Sequence, residues 1–225
     1  MSKALFDAIR TIKGSALTQA DVDLINAVQS GSPASAVHSL KNPAVFFLKV
    51  RNAFGAMTQG QIDGFNVLLD AMKEWPVSWA AYGLGTAWHE TARTMQPIKE
   101  YGGDPYFKKR YDIQGENPAL ARRLGNVHPG DGVKYAGRGY VQITGRDNFR
   151  KYGLEDNPDK ALEVETAAHI LVDGLESGRF TGKKLSDYLP ADYVNARRCV
   201  NGLDQAQKIA GYAREFESAL TDGGW

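Results

Sequence analysis

The sequence predicts a mainly helical domain with one small β element. Apolar residues recur at helical spacing through most of the chain, and only one short segment alternates at strand spacing. The stretch 101–132 is rich in Gly, Pro, Asp and Asn and reads as a long structured loop. With 225 residues, 43% hydrophobic and 24% charged, the chain can build a real core in one domain, with or without a small appendage.

The first 75 residues hold a weak internal echo. "ALTQADVDLINAV" (16–28) and "AMTQGQIDGFNVL" (56–68) each place Thr-Gln before an apolar pattern at helical spacing, Val22, Ile25 and Val28 in one, Ile62, Phe65 and Leu69 in the other. Thr18 and Thr58 therefore read as helix N-caps. Between the two copies, 30–44 is rich in Ser, Pro and Ala and reads as a loop or linker. The division expected is a helical appendage over 1–45 and a main domain over 46–225.

Residues 77–93 read as a helix begun by Pro76. The loop that follows is long enough to be functional and has room for one short helix near 117–124. "KYAGRGYVQITG" (134–145) is the strand candidate, with Val141 and Ile143 alternating against Gln142 and Thr144. Helical patterns follow near 147–152, 159–177, 190–201 and 204–220, with Asp159 and Asp204 as candidate caps.

Several function classes find no support. A formal net charge of +1 and a pI near 7.8 demand no nucleic-acid partner. Cys199 is the only cysteine, so no internal disulfide can form. The first 28 residues carry scattered charges, neither a secretory signal nor a membrane span. The expectation is synthesis in a reducing cytoplasm, no stable membrane insertion, and export by some other route. His89-Glu90 matches the start of a zinc-protease helix, but Arg93 stands where the second histidine belongs, so no metal or other cofactor is expected. Gly-x-Ser-x-Gly and a phosphate loop are both absent.

Two carboxylates remain. On a helix, positions 83, 86, 87, 90 and 94 share a face, and small residues there would leave room for a ligand in front of Glu90. A carboxyl buried among apolar neighbours can hold a proton near neutral pH. Glu100 stands past Pro97, where the helix should have stopped, so it can face Glu90 across a cleft. Glycoside hydrolysis with inversion needs such a pair, roughly 6.5–9.5 Å apart with a water between. Taken singly, Glu90 reads more readily as a surface partner of Arg93, and Glu100 as a solvated charge beside Lys99. Asp112 and Glu116 are rival bases. Gln142, Thr144 and the ring of Tyr140 suit sugar hydroxyls and a pyranose face, though a polar hairpin accounts for them as well.

Three segments in order, "HETA" with its downstream glutamate, "YAGRGYVQITGRDNF" and "YVNARRCVNG", resemble the glycoside hydrolase family 19 chitinases and, more closely, phage and bacterial endolysins of that type. The resemblance runs over 46–222 and is most specific at "GRGYVQITGRDN". It implies a lysozyme-like α+β fold in which the small β element forms one wall of the cleft. It implies that Glu90 is the general acid, Glu100 the general base, and Thr144 a holder of the attacking water. Gln142 and Asn148 fall where the family contacts sugar, Asn201 matches its late asparagine, and Tyr135, Arg138 and Tyr140 of the same motif are expected at the substrate. Plant members place the second glutamate farther along. The family's late arginine has no clean match, with Lys208 the nearest candidate. The activity implied is hydrolysis of β-1,4 bonds in bacterial peptidoglycan by a monomer released through a membrane lesion. The alternatives are a chitinase and a lytic transglycosylase.

Overall fold

The computed structural model describes Thr18 and residues 40–225. Apart from Thr18, residues 1–39 of the expected appendage, and with them the first copy of the echo and its helix, lie outside the described residues. The second copy forms the helix its pattern predicts. After α1 (Pro43–Phe54), Thr58 caps α2 (Gln59–Ala71) through a reciprocal pair with Gln61, in which each side chain accepts the other's backbone N–H. Residues at the start of α1 belong to the same body as the chain's end: Leu40 and Ala44 are buried, and Asn42 N–H donates to Gly223 O.

The next helix, α3 (Val77–Glu90), is the axis of the fold, with Ser78 and every residue from Ala80 to Trp88 buried. The face reading expected its small residues to leave space for a ligand; Gly83 instead serves packing. Gly83 lies against Met72 and Trp75, and Gly85 lets the last helix, Ala206–Gly223, approach to backbone contact. Between α1, α2, α3 and that last helix, Phe46, Phe47, Phe54, Phe65, Trp88 and Phe216 form a cluster of tilted and edge-to-face rings 4.9–6.0 Å apart. Each fully buried ring contributes about 1.5–3 kcal/mol of transfer free energy.

The helix ends at Glu90, three residues before the pattern predicts. Thr91 stops it: its hydroxyl donates to Ala87 O and accepts Met95 N–H. Ala92, Arg93 and Met95 then take left-handed backbone angles, an arrangement costly for residues with a Cβ. Side chains clamp it in place, Gln61 donating to Arg93 O and Gln96 to Gly60 O. The turn delivers the chain to β1 (Ile98–Lys99).

The long loop holds α4 (Asp104–Tyr111), the expected α5 (Pro118–Arg123) and the single turn α6 (Asp131–Lys134). The first of these has no apolar stripe beyond Phe107 and Tyr111, so periodicity does not reveal it. The strand expected over 134–145 is largely not one. Only β2 (Arg138–Gly139) pairs, antiparallel to β1, with a bridge from Arg138 to Ile143. Positive φ angles at Gly139, Gln142 and Gly145 bend the rest into a tight loop. The burial alternation survives: Val141 and Ile143 face the core, Gln142 and Thr144 do not.

Beyond it come α7 (Arg146–Lys151), a 3-10 turn at Pro158–Leu162, α8 (Val164–Ser177) and α9 (Ala206–Gly223). The helix expected at 190–201 is only a 3-10 turn, Asn195–Cys199. Neither Asp159 nor Asp204 caps a helix. Asp159 pairs with Arg138 at 2.7 Å, and the Asp204 carbonyl accepts from Arg197 Nε at 2.9 Å. The architecture is the mainly helical, lysozyme-like α+β fold, with a small two-stranded sheet packed on the 3-10 turn at Pro158–Leu162 and on α8. Among the described residues no helix is long and apolar enough to cross a membrane.

Candidate active site

A cleft of about 460 Å³ opens where the end of α3, the residue after β1 and the loop after β2 meet. Glu90 and Glu100 both line it, together with Gln142, Thr144, Asn148 and Asn201. Neither of the plain surface readings holds. Arg93 turns from Glu90 to lie over the rings of Trp88 and Tyr212, and Lys99 lies over Phe107.

Glu90 is not surrounded by apolar groups alone. Its Oε1 is 2.7 Å from Arg197 Nη1, an ion pair in which the guanidinium is 2% and the carboxylate 17% exposed. The N–H is not aligned for a hydrogen bond, so the contact is chiefly electrostatic. Arg197 is anchored separately, through Nε to Asp204 O. A negative charge developing on Glu90 would therefore be met by a fixed, buried positive one. His89, beside it, is held below its usual pKa mainly by burial, with Arg197 and Lys208 adding to the effect against Glu90.

Glu100 is held on both oxygens. Oε1 accepts from Tyr111 Oη at 2.8 Å and lies 3.5 Å from Tyr106 Oη, while Oε2 accepts from Gly137 N–H at 3.2 Å. Its own N–H donates to Gly137 O, which extends the β1–β2 pairing by one bond. Burial and the bond to Glu100 keep the Tyr111 phenol protonated well above the ordinary tyrosine range. Arg110 donates to Tyr106 Oη at 2.9 Å and its guanidinium lies over both tyrosine rings.

Gly137 forms the floor in front of Glu100. A Cβ built there would stand 3.0 Å from Glu100 Oε2, 3.1 Å from Gln142 Oε1 and 3.2 Å from Thr144 Oγ1. The Gln142 amide spends both N–H groups on Ile98 O and Gly139 O, each at 2.8 Å, so it offers the cleft only its oxygen. Thr144 spends its hydroxyl proton on Gln142 O at 3.0 Å. Three acceptor oxygens therefore surround the open side of Gly137; a water resting there, farther from the Cα than a Cβ would be, would find acceptors for both its hydrogens.

Asn148 lines the cleft with its amide already donating to Thr144 O and its Oδ1 accepting from Lys151. Asn201 lines it from the 3-10 side. Tyr135, Arg138 and Tyr140 do not line the cleft. Tyr135 is wholly buried and donates to Glu155 O; Arg138 is buried between Asp159, Ala136 O and the ring of Phe149; Tyr140 is wholly buried in the main core. Residues 135–141 of the motif that carries them are all buried, and only beyond them does burial alternate.

The rival bases fall away too. Asp112 is fully buried and accepts the N–H groups of Gln114, Gly130 and Gly132, which ties the long loop together. Glu116 is exposed and pairs with Lys109. The late cation against the first glutamate is Arg197, and Lys208 does not line the cleft. Sequence reasoning also missed Tyr106, Arg110 and Tyr111. The signals were available as "ARR" just before "NG" and as "YFKKRY" just after Glu100.

Over 86 residues the chain is 42% identical to a glycosyl hydrolase family 19 domain-containing protein of Haemophilus influenzae (strain ATCC 51907 / DSM 11121 / KW20 / Rd). That match covers 32% of this chain and 43% of the relative's length, so the two are similar over less than half of either protein. No protein-family model matches the chain.

Proposed function

We propose that this protein is a glycoside hydrolase of the family 19 type that cleaves β-1,4 bonds between amino sugars in bacterial peptidoglycan, with inversion at the anomeric carbon. The observation that carries the reading is the convergence of Glu100 Oε2, Thr144 Oγ1 and Gln142 Oε1 over Gly137, in the same cleft as Glu90. The similarity to a family 19 domain over part of the chain supports the same class. The closer resemblance of the motifs to endolysins than to chitinases favours peptidoglycan over chitin.

In this reading Glu90 gives its proton to the glycosidic oxygen as the C–O bond breaks, and Arg197 meets the charge left behind. The water in front of Gly137 gives one hydrogen to Glu100 and one to Thr144, which aims its lone pair at the anomeric carbon. As the new C–O bond forms, Glu100 takes the water's proton. The oxygen of Gln142 is left for a sugar N–H or O–H. Tyr111 and Gly137 hold Glu100 in a single orientation, so little is lost in aligning it.

The test is product analysis by mass spectrometry after digestion of purified peptidoglycan and chitin oligomers with wild type, Glu90→Gln and Glu100→Gln. Hydrated reducing ends from peptidoglycan, lost in both variants, are the expected result. Anhydro ends from an active Glu100→Gln would make the protein a transglycosylase, and cleavage of chitin alone would move it to the chitinases.

A further inference from the structure

Tyr106 and Arg110 stand four residues apart on α4, one turn along the same face, and Tyr111 follows directly. Phe107 and Tyr111 anchor the helix by packing with Ala136 in a small core of their own. Ala136 precedes Gly137, whose N–H donates to Glu100 Oε2. Arg110 is exposed and lines the cleft. Its guanidinium lies 5.7 Å from the centre of the Tyr106 ring and 5.4 Å from that of Tyr111. Its Nη1 donates to the Tyr106 hydroxyl at 2.9 Å, which leaves that phenol's proton for Glu100. Both phenols then address the same carboxylate oxygen, Oε1, Tyr111 at 2.8 Å and Tyr106 at 3.5 Å. Lys109, next along the helix, is neutralised by Glu116 at 3.0 Å, whereas Arg110 has no ion-pair partner among the described residues.

A cation over a tyrosine ring draws electron density from the hydroxyl and strengthens it as a donor. Resting on the reading of Glu100 as the base, we propose that Arg110 is a positioning residue for the reaction: it holds the two phenols together, so that they pin Glu100 Oε1 and leave Oε2 facing Gly137. The charge acts at one remove. A cation in direct contact would compete with the water for the carboxylate, and one behind two rings does not. The other glutamate is treated in the opposite way, since Arg197 meets Glu90 at 2.7 Å. Of the two, only the carboxylate read as the proton acceptor is kept from a direct ion pair among the described residues.

Gly137 supplies a reporter that needs no turnover. It is buried and its N–H donates to Glu100 Oε2, so exchange of that N–H with solvent follows the hold on the carboxylate. Exchange at Gly137 is followed by NMR in the parent, Arg110→Met and Arg110→Lys. The melting temperature is measured alongside, with kcat and KM on a soluble tetrasaccharide prepared from peptidoglycan. Methionine keeps the helix and an unbranched side chain while removing the charge. Arg110→Met should speed the exchange and lower kcat, each roughly tenfold, with KM and melting temperature near the parent's. Arg110→Lys keeps a cation over the rings and should recover most of both. A raised KM with kcat and exchange unchanged would make Arg110 a ligand contact and overturn the proposal. Losses that Arg110→Lys does not recover, together with a lower melting temperature, would make it a part of the helix framework only and overturn it too. Faster exchange in Arg110→Met, recovered in Arg110→Lys, in a protein whose parent cleaves no glycan would uphold the hold on Glu100 and sink the hydrolase reading. Unchanged exchange in such a protein would sink both.

Discussion

A methyl group on Gly137 would stand 3.0–3.2 Å from three oxygens at once and crowd the space in which the proposed mechanism puts the attacking water. Gly137→Ala is therefore expected to cut kcat on the order of 10²-fold or more while the melting temperature stays near the parent's. A variant as active as the parent would move the water elsewhere. Tyr111→Phe removes the shorter phenol bond to Glu100, a charge-assisted bond of about 1.5–3 kcal/mol. If Glu100 is the base as proposed, kcat should fall roughly tenfold with KM little changed, because the variant loosens Glu100 and leaves the rest of the cleft in place. At the other glutamate, Arg197→Met leaves a carboxylate of low exposure facing an apolar group, with an expected loss of about 3–5 kcal/mol in denaturant titration. Glu90→Gln keeps a carbonyl oxygen toward Arg197, so it should fold and still fail to turn over.

Among the elements, the contact of α3 with α9 sets where Glu90 points. Gly85 brings the two backbones together, since a Cβ there would lie 3.1 Å from Ala213 N and 3.3 Å from Ile209 O. Gly85→Leu should push the helices apart and cost about 1–3 kcal/mol, read as a lower melting temperature together with lower activity. Unchanged values in both would show that the helices can part without moving Glu90. The turn after α3 acts on the same scale. Three left-handed residues within four positions, Ala92, Arg93 and Met95, persist there because Thr91, Gln61 and Gln96 bind the backbone from both sides. The β1–β2 pair is two residues long and gains its rigidity from Arg138, which ties it to Asp159 and Phe149. Hence the motif's arginine serves the wall of the cleft and not the ligand.

Across the whole molecule, the titratable groups held away from their ordinary values define a stability window. Hydrogen bonds from Arg150 and Arg146 hold Glu155 at about 2, below its ordinary value. Asp131 is lowered as well: burial works against this, and Arg146 with the His128 and Val127 N–H groups outweighs it. Both carboxylates bind protons more readily when unfolded, so their stabilisation is present above the usual carboxylate range and is lost as pH falls toward 2. On the alkaline side burial raises Cys199 to about 12 and pushes Tyr82 and Tyr140 above their ordinary values. Their contribution is complete below about pH 9 and is lost as pH rises through the raised values. Denaturant titration from pH 3 to pH 11 should thus give a plateau between about pH 5 and pH 9 with losses on both sides.

Much of this was legible in the residues themselves. Thr58 with Gln61, the apolar spacing of α2, α3 and α9, and a proline between two glutamates are local patterns, and local backbone and side-chain preferences suffice to read them. So is the inward turn of Val141 and Ile143 beside Gln142 and Thr144, because alternation outlives the loss of regular pairing. What packs against what was not legible. Arg197 meets Glu90, Tyr111 meets Glu100, and the aromatic and basic residues of the glycine-rich motif turn into the core, because those choices depend on which helices close on which. A sequence states the chemistry that each side chain carries. Only the approach of distant elements decides which charges are buried together and which remain open to a ligand, since burial and Coulomb interaction depend on separation in space and not along the chain.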